Sequence, residues 1–195
     1  MILPRIINLS RYPFRTYSLR SRHPFRSPKR RRMTSIITLP DSRILSYALD
    51  STPENGPVVL LANSLCEPYN LWNHVVPALN NNGFRTLRYD QPGHGSSSAP
   101  KGLDSTMDSM ADDVHALVQN LGISKIYSWV GISVGAAVGI YFATKYPGLV
   151  SKLAICDTIS SSPVNAGLDD PFGPRVAAAR QAGHMEDITQ GTMER

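Results

Sequence analysis

Cysteine is scarce in this chain. Cys66 and Cys156 are the only two in 195 residues and form no C-x-x-C pair. They fit free thiols of a reducing compartment better than a disulfide, in regions that read as buried or site-lining. Long hydrophobic runs are missing as well: no stretch approaches the roughly 18–20 consecutive apolar residues of a membrane span, so a soluble protein with no membrane partner is expected. Acidic residues are absent from residues 1–32, which hold ten of the twenty Lys and Arg. From Met33 onward fifteen acidic residues face ten basic ones, so the formal net charge of +5 belongs to the tail. The remainder carries no electrostatic footprint for nucleic acid.

The tail supports three readings. Its Arg-rich, Ser-containing, acid-free composition is that of a mitochondrial presequence, and Arg15-Thr16-Tyr17-Ser18 resembles a processing site. Pro4, Pro13, Pro24 and Pro28 interrupt the amphipathic helix such peptides form. Lys29 to Arg32 is also the kind of run that serves nuclear import or polyanion binding. In the third reading residues 1–32 are a dispensable disordered extension and Met33 begins the functional protein. The expected localisation is cytoplasmic, with the mitochondrial matrix as the alternative.

Beyond the tail, periodicity changes several times. Ser35 to Leu39 and Arg43 to Leu49 are short β-rich runs around Pro40-Asp41-Ser42, which predicts a hairpin. VVLLAN, from Val58, is an unalternating apolar run of the kind buried on both faces of a sheet. Residues 71–82 read as a helix stopped by Gly83, and Phe84 to Tyr89 as a strand. Met107, Met110, Ala111, Val114, Leu117, Val118 and Leu121 recur at helical spacing after a capping-box-like Ser105 and Asp108. Ile126 to Val130 then reads as a strand, followed by an apolar helix that stops at Tyr146-Pro147-Gly148; Leu149 to Cys156 reads as another strand and Arg175 to Gln181 as a helix. This alternation implies βαβ units: an α/β fold with a mostly parallel sheet and helices on both faces.

Three motifs fall after predicted strands. Gly131-Ile132-Ser133-Val134-Gly135 fits G-x-S-x-G between a strand and a helix, where the glycines permit a sharp turn that exposes the serine hydroxyl. NSLCEP follows the VVLLA strand, where a second oxyanion donor belongs. The two N–H groups expected to hold a tetrahedral oxyanion are those of Val134 and Leu65. The third motif is RYDQPGHGSS, residues 88–97.

Together NSL…W, RYDxxGHGxS and GxSxG resemble the α/β-hydrolase superfamily, whose members carry D-x-x-G-x-G-x-S at the third position. Within it the chain is similar to 3-oxoadipate enol-lactonases from about Ser35 to its end. The resemblance implies residues 33–170 as the hydrolase core and 171–195 as the start of a helical cap. It implies Ser133 as nucleophile, no metal or organic cofactor, and His94 as a turn-shaping residue rather than the catalytic base. Arg88 could offer charge to an acidic lactone or serve a structural ion pair. Cys66 stands where many relatives have glycine.

The family order is Ser, then acid, then His. After Ser133 the sole histidine is His184, with Asp157, Asp169 and Asp170 between them. Asp157 follows a strand and could stand as the acid. His184, in Ala-Gly-His-Met-Glu, resembles the start of the cap rather than the position of a base. The chain is therefore expected to be the N-terminal part of a longer enzyme, lacking the last strands and most of the cap, with an apolar sheet edge that invites a partner protein or self-association. Loss of the base from such a triad costs about 10⁶-fold in turnover. Three functions compete: hydrolysis of a small ester or lactone, the β-ketoadipate enol-lactone above all, with carboxylesterase or haloperoxidase-like activity as its variants; a catalytically idle hydrolase fold that acts as a binding module; and work done by the basic tail. Serine rather than aspartate at position 133 argues against epoxide hydrolases and haloalkane dehalogenases.

Overall fold

Val58–Ala62 (VVLLA) contains no side chain that gains from water, and all five residues are buried. This strand lies in the interior of a six-stranded sheet in the computed structural model, which describes residues 35–183 apart from 51, 101, 103, 104, 160–163, 166, 168 and 171. The strands are β1 Ser35–Thr38, β2 Ile44–Asp50, β3 Val58–Ala62, β4 Arg85–Tyr89, β5 Ile126–Ile132 and β6 Leu153–Cys156. Their order is β1-β2-β4-β3-β5-β6. β1 and β2 run antiparallel, as do β2 and β4; β4, β3, β5 and β6 are parallel to one another. The predicted hairpin forms, with the Leu39 and Arg43 backbones bonded at 2.8 Å and Ser42 in the left-handed region at φ 69°.

Helices cover both faces, as the alternation of strands and helices predicts. On one, α2 (Met107–Asn120) and α3 (Val134–Lys145) supply Met110, Ala111, Val114, Leu117, Val138 and Phe142 to the main core, which they share with Leu45, Leu60, Leu87 and Trp129. On the other, α1 (Val76–Asn81) inserts Val76 against Val59 and Leu61. α4 spans Gly173–Ala182. Trp129 is fully buried, donates its indole N–H to the Gly135 carbonyl at 3.0 Å and packs at 5.2 Å from the Phe142 ring.

Four expectations change in detail. The helix foreseen over 71–82 is a 3-10 turn, Tyr69–His74, followed by the short α1; Pro77 lacks the N–H that would carry one ladder through both. The capping box of α2 belongs to Thr106 and Ser109 rather than Ser105 and Asp108. The chain is still extended at Thr106 (φ −110°, ψ 160°), so Thr106 Oγ1 accepts from Ser109 N–H and Ser109 Oγ from Thr106 N–H, both at 3.0 Å. Next, the last strand begins at Leu153, preceded by a single bridge between Val150 and Ile126. Finally, Cys66 and Cys156 are free thiols and both are exposed, so of the two readings of their surroundings, buried or site-lining, the buried one does not hold. Among the described residues β6 pairs with β5 alone, and all four of its residues are exposed. No helix among the described residues is long and apolar enough to cross a membrane.

The α3–β5 contact is tight enough to test. A Cβ built on Gly139 would lie 2.5 Å from Trp129 Nε1 and 2.7 Å from Cδ1. The indole is immobilised by burial and by its hydrogen bond, so it has nowhere to shift. Gly139→Ala is expected to lower the unfolding free energy by about 1–3 kcal/mol, as overpacking does, measured by denaturant titration against the wild-type chain.

Candidate active site

The parallel strands discharge their loops at one edge of the sheet. Ala62 is in register with Gly131, and Ile132 with Cys156, so the segments that begin at Asn63, Ser133 and Asp157 leave the sheet side by side. The turn at Ser133 is sharp, with φ 52° and ψ −120°. Such a backbone is sparsely populated for a residue with a side chain and persists only when its surroundings impose it. Here the Ser133 N–H donates to the Cys156 carbonyl at 2.9 Å. The Ser133 carbonyl accepts from the N–H groups of Ala136 and Ala137 at 3.0 and 3.1 Å.

Both motif glycines are required by packing. A Cβ on Gly131 would meet the Gly135 carbonyl oxygen at 2.5 Å and Ala136 Cα at 2.6 Å. One on Gly135 would meet the carbonyl oxygens of Ala62 and Asn63 at 2.5 and 2.6 Å. The first turn of α3 thus packs backbone to backbone on the end of β3, close to the loop that carries Leu65. The Ser133 side chain is half-buried at the start of a twelve-residue helix, whose N-terminus favours developing negative charge. Among the described residues its hydroxyl has no hydrogen-bond partner, and the N–H groups of Val134 and Leu65 donate to no acceptor. A hydroxyl and two unpaired amides at one sheet edge can attack a carbonyl carbon and hold its oxygen.

The third motif braces this edge. Asp90 is buried; its Oδ1 accepts from Tyr69 N–H at 2.8 Å and its Oδ2 from Ser96 N–H at 3.1 Å. Gly95, at φ 51°, leaves room for that carboxylate, since a Cβ there would sit 2.2 Å from Oδ2. Ser97 Oγ donates to the Asp90 carbonyl at 2.7 Å and accepts from Ser46 N–H at 2.9 Å, tying the loop to β2. Gln91, fully buried, donates to the Asn63 carbonyl at 2.5 Å, and the Asn63 amide donates to the Glu67 carbonyl. His94 accepts the Cys66 N–H on Nε2 at 2.9 Å, which leaves Nδ1 to donate to the Pro92 carbonyl at 3.0 Å. Asp90, Gln91 and the His94–Cys66 bond were not foreseen from the sequence. The signal was present in the D-x-x-G-x-G spacing, with Gly93 and Gly95 following Asp90.

Arg88 does not face a substrate. It is fully buried, with Nη1 bonded to Asn73 Oδ1 at 2.6 Å, Nη2 to Asp50 Oδ2 at 3.0 Å, and its guanidinium 5.5 Å from the Tyr69 ring centroid. This is the ion-pair reading, and the substrate-contact expectation is corrected, because a strand interior between β2 and β3 offers the side chain no route to the sheet edge. Asp157 follows β6 directly, exposed, at φ 47°. Asp170 Oδ1 accepts from Phe172 N–H at 2.9 Å, a local turn contact. Of the histidines described, His74 is exposed at the end of the 3-10 turn, His94 is engaged as above, and His115 stacks on Tyr146 at 3.8 Å. His184 lies outside the described residues, as do residues 1–34 with every reading of the tail.

Among the described residues no group of three His, Cys, Asp or Glu could hold a metal ion. A shallow depression of about 260 Å³ between the β1–β2 turn and α2 shares no residue with the Ser133 edge. In it Arg43 bonds both oxygens of Asp113, at 2.6 and 2.8 Å, and Asp41 at 2.6 Å. Burial pushes the Asp113 carboxyl up against the pull of Arg43, and the Asp113 hydrogen bonds raise the guanidinium in turn. That charge is neutralised where it stands.

This arrangement of strands, elbow and loops defines the class: residues 57–194 match the alpha/beta hydrolase fold family, and the chain belongs to it. It is 28% identical over 164 residues to 3-oxoadipate enol-lactonase 1 of Acinetobacter baylyi, covering 82% of this chain and 56% of that protein. The crystal structure of an enol-lactonase from Burkholderia xenovorans superposes with a TM-score of 0.72 at 30% identity, over 83% of this chain and 59% of that one. A bifunctional epoxide hydrolase of Sus scrofa is 30% identical over 105 residues, 53% of this chain and 19% of that protein. The chain thus spans less than two thirds of the length of these relatives.

Two substitutions check the geometry. Cys66 sits at φ 65°, a region that disfavours any residue with a Cβ. Cys66→Gly is expected to raise stability by about 0.5–1 kcal/mol, relief of strain outweighing the extra entropy glycine has when unfolded, as read from the denaturation midpoint. Arg88→Ala leaves Asp50 and Asn73 without their buried partner and should cost about 3 kcal/mol or more; an unchanged thermal midpoint would contradict a structural role.

Proposed function

We propose that this chain is a serine-hydrolase core that acts on small carboxylic esters or lactones, with an enol-lactone as the favoured substrate. The observation that carries this reading is the Ser133 elbow: a half-buried residue on a left-handed turn whose hydroxyl, like the amides of Val134 and Leu65, has no hydrogen-bond partner among the described residues. The lactone preference rests on the enol-lactonase relatives.

In the proposed reaction Ser133 Oγ forms a bond to the carbonyl carbon as its proton passes to a base. The carbonyl oxygen, now an oxyanion, accepts from Val134 and Leu65 N–H. Collapse breaks the ring C–O bond, and the leaving oxygen takes the proton back while still tethered to the acyl group. Water then attacks the acyl-enzyme by the same route and returns Ser133. Each amide donor contributes about 10²- to 10³-fold. The family's base is a histidine, and none of those described stands by Ser133. Asp157 is placed one residue beyond the carbonyl that holds the Ser133 N–H, a position from which a carboxylate can orient such a base. Serine at this position favours acyl transfer over the carboxylate chemistry of epoxide opening.

A fluorophosphonate probe tests the reading. Label taken up by the wild-type chain should sit on Ser133, and Ser133→Ala should abolish it without shifting the thermal midpoint. A folded wild-type chain that takes up no label would instead make the fold an idle pocket, available for binding only.

A further inference from the structure

Among the described residues, no bond from within the loop that carries Leu65 engages Cys66. Leu65, Cys66 and Glu67 are all exposed, so packing does not fix them. Glu67 N–H reaches the Ser64 carbonyl at 3.4 Å and the Asn63 side chain holds the Glu67 carbonyl, so both bonds close the loop around Cys66 without touching it. Yet Cys66 sits at φ 65°, a conformation disfavoured about tenfold for a residue with a Cβ. Something outside the loop must oppose that preference, and the Cys66 N–H donates to a side chain 28 residues away, His94 Nε2, at 2.9 Å.

His94 itself is rigidly presented. Its main-chain N–H donates to the Gln91 carbonyl, its carbonyl accepts from Ser97 N–H, both at 2.9 Å, and its Nδ1 faces the Pro92 carbonyl. The turn behind it is clamped by the buried Asp90 carboxylate. Because the Pro92 oxygen accepts only, Nδ1 must carry the proton and Nε2 must be the bare acceptor that Cys66 requires. The hydrogen bond is worth about the same factor as the strain it opposes, so its presence decides which conformation the loop adopts.

We propose that His94 is a positioning residue for the oxyanion loop: by accepting the Cys66 N–H it holds position 66 in the left-handed region and thereby aims the adjacent Leu65 amide toward the oxyanion. This deepens the hydrolase reading and rests on it for the effect on Ser133, but the latch itself is testable alone. A substitution of glycine by cysteine at such a turn makes the latch necessary, since glycine would occupy the turn without help.

The test uses the full chain. Imidazole ¹⁵N spectra should show His94 as the Nδ1–H tautomer with an unprotonated Nε2; the opposite tautomer overturns the proposal whatever Ser133 does. In a Cys156→Ser background, alkylation of Cys66 by iodoacetamide should change severalfold in His94→Phe, which keeps the ring and loses the acceptor. His94→Gln, whose amide oxygen reaches the Nε2 position, should return it to the parent rate. Fluorophosphonate labelling of Ser133 should fall about tenfold in His94→Phe and recover in His94→Gln. Equal labelling of parent and His94→Phe overturns the proposal. If the parent takes no label, the hydrolase reading fails, while the tautomer and the alkylation rates still decide the latch.

Discussion

The contact on which this edge depends is backbone against backbone: the first turn of α3 lies on the last residues of β3 with no side chain between them. Gly135 approaches the carbonyls of Ala62 and Asn63, and Gly131 approaches Gly135 and Ala136, all at separations a methyl group would violate. From that contact follow the reversal of the chain at Ser133, the half-exposed hydroxyl, and the nearness of the α3 amides to the loop after β3. Trp129 reinforces it from beneath, since its indole holds the Gly135 carbonyl and fills the space left by Gly139. A helix that enters its sheet this closely has little freedom of angle, which is how a short motif fixes the placement of an atom.

A second layer of order comes from polar groups removed from water. Asp90, Gln91, Asn63 and Arg88 are all buried, and each is tied to a backbone or side-chain partner. Buried groups of this kind are costly when unpaired and specific when paired. Asp90 organises its own loop and the start of the 3-10 turn, Gln91 joins that loop to the end of β3, and Arg88 joins β4 to β2 and to Asn73. The loops that frame Ser133 thereby form one hydrogen-bonded body rather than independent connections.

Much of this was readable from residue order because it depends on local pattern. A short unbroken apolar run bounded by turn residues reads as a strand buried on both faces, and α2 declares itself by spacing. G-x-S-x-G declares itself because only glycine fits the two crowded positions. What depends on neighbours distant in the chain was less visible. Arg88 looks the same on a strand whether it points to solvent, substrate or an internal carboxylate; Asp50 and Asn73 decide it, and neither is near in sequence. Cys66 reads as a departure from a glycine position, but its consequence depends on the ring of His94. Cys156 reads as buried or site-lining, whereas the end of a strand is covered only when some other element supplies the cover. The start of α2 moved by one residue, a choice between two hydroxyls set by where the backbone ceases to be extended.

Strain shows where these constraints meet. Among the described residues four without a glycine's freedom occupy positive φ: Ser42 in a hairpin turn, and Cys66, Ser133 and Asp157, one each after β3, β5 and β6. Each such position costs of the order of 1–3 kcal/mol and endures only where the surroundings over-determine it. Three of them line a single sheet edge, on three adjacent parallel strands. Strands of equal direction must all turn away at the same end, and an abrupt turn exposes backbone N–H groups that a longer, relaxed connection would pair internally. The strain at Ser133 and Cys66 is therefore the counterpart of the amides of Val134 and Leu65, which donate to no acceptor among the described residues: a loop that satisfied those donors would relieve the turns.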